Sequence, residues 1–346
     1  MIKGKRSVLL IYTGGTIGMH QNLETGALEP FNFSQITEEV PELKRFDLNI
    51  GTYQFVHPLD SSDMQPEHWV KIAQIIEKNY DKYDGFVVLH GTDTMAYTAS
   101  ALSFMLENLA KPVIFTGSQL PIGMLRTDGK ENLITAIEIA ADCHEDGTAI
   151  IPEVCIFFDS QLMRGNRTFK MNAENFNAFT SRNYPTLAHV GVHIKYASDE
   201  HFLKPPKGAK LKTHLKLDTH VAVFSLFPGI QESVVRHILN APGLKGVVLR
   251  SFGSGNAPQV QWFVEAVKEA IDKGVMIVNV TQCSTGAVEM ERYDTGIHLL
   301  QVGAISGHDT TVEAALTKLM LLLGEGWKPE EIRMLMHKSL AGEITV

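Results

Sequence analysis

The stretch Val8-Leu9-Leu10-Ile11-Tyr12-Thr13-Gly14-Gly15-Thr16-Ile17-Gly18 decides the fold. Its apolar run is too short for a helix and ends at paired glycines, so it reads as a strand buried on both faces. Moving outward, the same unit recurs. Apolar runs at 52–56, 86–89, 113–116 and 154–158 alternate with helix-period segments at about 66–80, 93–109 and 129–142, which predicts βαβ units and a mainly parallel sheet. The segment 93–109 places Met95, Ala99, Leu102, Leu106 and Leu109 along one face, the pattern of an amphipathic helix.

Residues 195–219 carry Pro205-Pro206, Gly208 and six lysines, which reads as a solvated linker. Beyond it, strands at 221–226, 246–249 and 275–280 alternate with helices at about 231–239, 259–272, 310–323 and 329–339. The expected architecture is therefore α/β with two domains: a larger N-terminal one over 1–194 and a smaller parallel-sheet one over 220–346. Neither internal repeats nor low-complexity tracts interrupt this plan.

Composition narrows the function. The 346 residues hold 31 basic and 39 acidic side chains, a net charge of −8, which disfavours nucleic acid or an anionic membrane as partner. Cys143, Cys155 and Cys283 form neither a CxxC pair nor a zinc spacing, and so sparse a set fits a reducing compartment. Lys3, Lys5 and Arg6 ahead of 8–12 imitate a signal peptide, but the apolar core falls short of the ~7 residues needed. The run 319–323 is likewise far below the ~18 residues of a membrane span. A cytoplasmic protein is expected.

In open α/β sheets, ligands bind outside the carboxyl ends of the strands. The first four strand ends deliver Thr13-Gly14-Gly15-Thr16-Ile17-Gly18, Asp60-Ser61-Ser62-Asp63, His90-Gly91-Thr92-Asp93-Thr94 and Thr116-Gly117-Ser118-Gln119. Together these small hydroxyls, glycines and carboxylates read as one site. The first loop is not a GxGxxG fingerprint, because Thr13 replaces its leading glycine. Gly14 and Gly15 instead let the backbone approach a ligand while Thr16 presents a hydroxyl; a plain strand-end turn is the alternative. Thr92 or Asp93 suits a helix N-cap. The same carboxylate suits a substrate ammonium, and N–H groups beside Gly91 suit an oxyanion. His90 reads as a packed strand residue rather than a base. Gly123 to Lys130 imitates a P-loop but lacks the hydroxyl after the lysine. GxSxG and HExxH are absent, and no metal site or cofactor is indicated.

Tyr12-Thr13-Gly14-Gly15-Thr16-Ile17-Gly18-Met19 and Leu89-His90-Gly91-Thr92-Asp93-Thr94-Met95-Ala96-Tyr97 resemble the two signatures of bacterial-type L-asparaginases. The resemblance continues through Asp60 to Met64, Pro112 to Gln119, Arg164 to Arg167, Ser254 to Pro258 and Thr281-Gln282-Cys283, so it spans essentially the whole chain. It is nearest to the cytoplasmic, type I form. A tRNA-amidotransferase relative of the same fold carries an extra N-terminal domain, for which the signature at residue 12 leaves no room.

The resemblance implies hydrolysis of L-asparagine to aspartate and ammonia, with Thr16 as nucleophile and an acyl-enzyme intermediate. It implies that Thr92, Asp93 and Lys170 form the supporting cluster. Lys170, read by itself, is a solvated surface lysine. Gly15, Asp60, Ser61 and Ser62 would line the substrate site: the two serines would hold the α-carboxylate, and Asp93 the α-ammonium. Asn256 matches a position that reaches a neighbouring subunit's site, which implies a homodimer or homotetramer. Arg250 and Cys283 fit a regulatory asparagine site, although Phe169 stands where a small hydroxyl residue is expected. A second departure concerns the loop after the first signature. Where many relatives carry a tyrosine that assists Thr16, this sequence has Gly26-Ala27-Leu28-Glu29-Pro30. Thr92 with Lys170, a water, or another loop residue remain as activators of Thr16. Glutamine as the preferred substrate, or a non-catalytic amino-acid sensor, are the alternatives that ammonia release would discriminate.

Overall fold

The computed structural model describes residues 5–21, 28–30, 36, 40–292 and 294–345. These divide into two compact units, Met1–Thr213 and His214–Val346. The boundary falls inside the stretch 195–219 that composition marks as a linker. Its first part is tied into unit one: Ile194–Tyr196 is a strand, and Lys212–Thr213 pairs antiparallel with Leu106–Glu107.

Unit one is built on an eight-stranded sheet. Its strands in chain order are β1 (Ser7–Gly14), β2 (Asn49–Leu59), β3 (Gly85–Leu89), β4 (Val113–Thr116), β5 (Val154–Phe158), β6 (Gln161–Arg164), β7 (Ala188–Val190) and β8 (Ile194–Tyr196). Their order across the sheet is β8-β7-β6-β5-β4-β3-β1-β2. The pairs β2/β1, β1/β3, β3/β4 and β4/β5 are parallel. The strands β6 to β8 add an antiparallel end that apolar periodicity does not announce. The cause is local. Asp159 and Ser160 join β5 to β6 with φ of 47° and 63°, a two-residue hairpin turn that only antiparallel strands accept. Neither residue is glycine or asparagine, so the turn carries no compositional signal.

Helices α1 (Pro66–Asn79), α2 (Met95–Met105) and α3 (Gly129–Ala141) cross over between the parallel strands. Val8, Leu10 and Tyr12 share a core with Leu133, Ala136, Ile137 and Ala140 of α3. Leu9 and Ile11 are buried on the opposite face of the same strand. Burial on both faces explains why this strand is a continuous apolar run. Helix α2 corrects two expectations. It ends at Met105 instead of near 109, because Leu106–Glu107 is recruited as a strand. Nor is it one-sided: nine of its residues are buried, among them Thr98 and Ser100 between the aliphatic positions.

Unit two carries a four-stranded parallel sheet in sequential order: β9 (Val221–Ser225), β10 (Gly246–Ser251), β11 (Met276–Thr281) and β12 (Ile305–Ser306). Helices α4 (Glu232–Leu239), α5 (Gln261–Asp272), α6 (Asp294–Gln301), α7 (Val312–Gly324) and α8 (Pro329–Met336) complete it. Val247, Leu249 and Ile277 face one core with α4 and α5, while Val248, Val278 and Val280 face a second with α7 and α8. Among the described residues no helix is long and apolar enough to cross a membrane.

Candidate active site

Three strand ends of unit one come together because glycines allow it. Gly15 has φ +88°, and a Cβ on it would stand 2.5 Å from the Gly91 nitrogen. A Cβ on Gly91 would stand 2.6 Å from Ser61 Oγ. The loops after β1 and β3 therefore touch backbone to backbone, and the loop after β3 sits on the Ser61 side chain closer than a Cβ at position 91 permits. Thr16 follows Gly15 directly, half-buried, and opens the short 3-10 turn Thr16–Gly18. Tyr12, buried on β1, donates its hydroxyl to the Gly18 carbonyl at 3.1 Å, and burial pushes its pKa up to about 12. It braces that turn as a neutral phenol.

The structure resolves the ambiguity at Thr92-Asp93. The N-cap of α2 is Thr94, and it makes no side-chain capping bond. The side chains of Thr92 and Asp93 turn to Lys170 instead. Lys170 Nζ donates to Thr92 Oγ at 2.8 Å and to Asp93 Oδ1 at 2.6 Å. Lys170 is largely covered, with 19% of its side chain exposed, whereas 63% of Asp93 is open to solvent. The lysine arrives on a short antiparallel pairing, Phe169–Lys170 with Phe179–Thr180, one residue beyond Thr168. That approach is anchored deep in the unit: Thr168 Oγ donates to the Arg164 carbonyl at 2.7 Å, and Arg164 pairs with buried Glu153 at 2.6 Å.

Ser61 is buried at 4% exposure. Its Oγ accepts the Asp93 N–H at 3.2 Å and its carbonyl accepts the Thr94 hydroxyl at 2.6 Å, so it locks the second loop to the third. Its own hydroxyl proton stays available to a ligand. Asp60 accepts both the N–H and the hydroxyl of Ser62 at 2.8 Å, and these bonds hold its carboxyl below the usual range. Ser62 is thereby aimed by Asp60 at an exposed position.

One supporting group escaped the sequence reading. Asp128 accepts the backbone N–H groups of Gln119 and Leu120 and stands 3.3 Å from Asn132 Nδ2, which also donates to the Gly117 carbonyl. Burial raises the Asp128 pKa, opposed by those backbone bonds. This fixes the fourth loop, and Gln119 Nε2 then reaches the Ala173 and Asn175 carbonyls just past Lys170. Asp128 lies in the stretch that imitates a P-loop, and nothing local marks it. His90 is fully buried, as expected of a packed strand residue, and its ring bonds to Gly91 and Thr98.

The remaining expected residues lie in unit two. Asn256 closes a tight loop after β10, exchanging backbone bonds with Phe252 at 2.8 and 2.9 Å. Arg250 lies half-buried one residue before the end of β10, and its charge acts on Glu313, whose pKa burial raises. Cys283 is exposed, and its N–H donates to Thr281 Oγ at 3.0 Å. Phe169 is half-buried in unit one. No cluster of three or more His, Cys, Asp or Glu side chains arranged for a metal occurs among the described residues.

Residues 7–201 match the model of the asparaginase N-terminal domain, and residues 220–336 match that of the glutaminase/asparaginase C-terminal domain. The chain belongs to the asparaginase family. It is 45% identical over 343 residues to L-asparaginase 1 of Escherichia coli, covering 99% of this chain and 98% of that one. Its fold superposes on the crystal structure of L-asparaginase I from Vibrio cholerae with a TM-score of 0.90, at 42% identity and covering 99% and 100% of the two chains. The thermostable L-asparaginase from Thermococcus kodakarensis matches at a TM-score of 0.89 and 35% identity over 98% of this chain and 99% of that one. In this asparaginase-family chain the loop without a tyrosine, from Gly26 to Pro30, falls largely outside the described residues; only Leu28–Pro30 is described, as a strand paired with Met19–Gln21.

Proposed function

We propose that this chain hydrolyses the side-chain amide of L-asparagine to aspartate and ammonia, with Thr16 as the nucleophile. The observation that carries the reading is the convergence of Thr92 Oγ and the Asp93 carboxylate on Lys170 Nζ, at 2.8 and 2.6 Å, beside the loop where Gly15 packs against Gly91. Thr16 Oγ attacks the amide carbon; the C–N bond breaks as ammonia takes a proton, and an ester to Thr16 remains. Water then adds to the ester carbon and releases aspartate. Lys170 and Thr92 form the hydrogen-bonded pair through which a proton leaves the attacking water or reaches the leaving amine. Ser61 receives the α-carboxylate through its uncommitted hydroxyl, and Ser62 joins it when its hydroxyl turns from Asp60 to the substrate. The α-ammonium meets the exposed side of Asp93, whose other oxygen is already held by Lys170.

In the same reading the protein is a cytoplasmic homodimer or homotetramer in which Asn256 completes a neighbour's site. A regulatory asparagine site at Arg250 and Cys283 would give a sigmoidal rate curve that Arg250→Ala makes hyperbolic. The decisive measurement is ammonia release from L-asparagine and L-glutamine by the wild type and by Thr16→Ala. The expected result is asparagine turnover abolished in Thr16→Ala with an unchanged circular-dichroism spectrum. Full turnover in that variant sinks Thr16 as nucleophile, and stoichiometric aspartate binding without any turnover by the wild type leaves a sensor.

A further inference from the structure

We infer that His90, held in one tautomer by Thr98 and Trp69, is a positioning residue that aims the Thr92 N–H at the oxygen that becomes negative during amide hydrolysis. This rests on the reaction proposed above and adds to it a group that touches no substrate.

The proton positions follow from donor and acceptor chemistry alone. Trp69 Nε1–H can only donate, and it gives its proton to Thr98 Oγ at 3.0 Å. The Gly91 carbonyl can only accept, so His90 Nδ1, 2.7 Å away, carries a proton. A neutral imidazole has one N–H, which leaves Nε2 as an acceptor for the Thr98 hydroxyl at 2.9 Å. Complete burial keeps the ring neutral, lowering its pKa to about 4. The Thr94 carbonyl, 3.3 Å from Thr98 Oγ, is a longer second acceptor for that hydroxyl; the ring still runs the chain Trp69–Thr98–His90–Gly91 in one direction, because an Nε2 proton would leave Nδ1 facing a carbonyl lone pair.

Its consequence lies across the next peptide bond. In a planar trans peptide the C=O and N–H point opposite ways. With the Gly91 carbonyl drawn toward His90 in the core, the Thr92 N–H faces away from the core. There it donates to no acceptor among the described residues. Thr92 Oγ is fixed by Lys170, so both polar ends of Thr92 are set. Without this restraint the loop has a weakness. Position 91 must be glycine, since a Cβ would lie 2.6 Å from Ser61 Oγ. Yet glycine makes a flip of the 91–92 peptide cheap, and a flip would offer a carbonyl oxygen where a donor is needed. His90 removes that freedom.

The test separates positioning from packing. In His90→Asn the side-chain amide N–H falls where Nδ1–H lies and keeps the bond to Gly91. In His90→Gln the amide reaches instead toward the Nε2 position and leaves that carbonyl unpaired. Loss of one oxyanion donor costs on the order of 10²–10³ in kcat. The expected result is therefore a kcat drop of that size in His90→Gln, a drop below about fivefold in His90→Asn, and KM for asparagine little changed in both. Thr98→Val should lower kcat and Thr98→Ser should restore it, which keeps the test open if a histidine variant fails to fold. Nitrogen-15 NMR of the wild type should show His90 protonated at Nδ1. Equal kcat losses in His90→Asn and His90→Gln, or an Nε2-protonated ring, overturn the inference. A wild type that releases no ammonia from asparagine removes the underlying reaction itself, while the NMR tautomer remains readable.

Discussion

Two lysine–carboxylate pairs in this molecule share a separation of 2.6 Å and nothing else. In unit two, Lys318 on α7 and Glu343 near the C-terminus are each exposed by only 1%. Lys318 Nζ also donates to the Met336 and Lys338 carbonyls, and Glu343 accepts the N–H groups of Leu340 and Ala341. Every donor of that ammonium is spoken for. In unit one, Lys170 bonds a hydroxyl and a carboxylate, and its partner Asp93 stays mostly open to solvent. An ammonium has three donors, and among the described residues Lys170 has acceptors for two of them. A saturated pair holds chain in place; an unsaturated one beside a hydroxyl is equipped to move a proton.

The comparison can be broken in four places. The largest effect is expected at Lys170→Met: kcat for asparagine should fall by about 10³-fold, the range for losing a proton-transfer group, with little change in Tm. A large Tm loss instead would make Lys170 a structural lysine like Lys318. The converse is Lys318→Met. Removing one partner of a buried pair strands the other charge, so unfolding in urea should show a loss of about 3–5 kcal/mol, with turnover per folded molecule unchanged. Third comes acid stability. His90 is neutral when folded, with its pKa lowered by burial to about 4 from 6.5. The unfolded chain therefore takes up a proton first as pH falls. Stability should be full above about pH 6.5 and decline by about 3 kcal/mol as pH falls to 4, since each pH unit between the two pKa values costs about 1.4 kcal/mol. His90→Asn should flatten that slope; an unchanged slope would place the proton elsewhere. The smallest effect is the stability of Asp93→Asn, a pair exposed enough to contribute under about 1 kcal/mol. Calorimetry showing several kcal/mol would erase the contrast with Glu343.

Much of the scaffold is legible along the chain, and the reasons for the failures differ. Val113–Thr116 and Val154–Phe158 coincide with their apolar runs, because a strand buried on both faces has no other way to look. The hairpin at Asp159-Ser160 is invisible because neither residue type advertises positive φ. Helix α2 looks one-sided in sequence yet is enclosed, since Thr98 and Ser100 are polar letters in a buried place; Thr98 is there to serve His90 and Trp69. At the site, the glycine loops can be read, but Thr92-Asp93 reads equally as a helix cap and as a ligand-binding pair until Lys170 takes their side chains.

The sequence by itself determined the parallel strands β1 to β5 and β9 to β11 with most helices between them, the α/β class and the glycines on which the strand ends close. Those properties are local: burial period and backbone freedom are written within a few residues of where they act. Tertiary structure decided which lysine is sealed among its acceptors and which lies beside a solvent-exposed carboxylate. Lys170 meets Thr92 across 78 residues of chain, and Lys318 meets Glu343 across 25. Neither encounter is encoded near either residue. It follows from the order in which strands lie side by side, and a lysine's chemistry depends on how many acceptors that order leaves around its nitrogen.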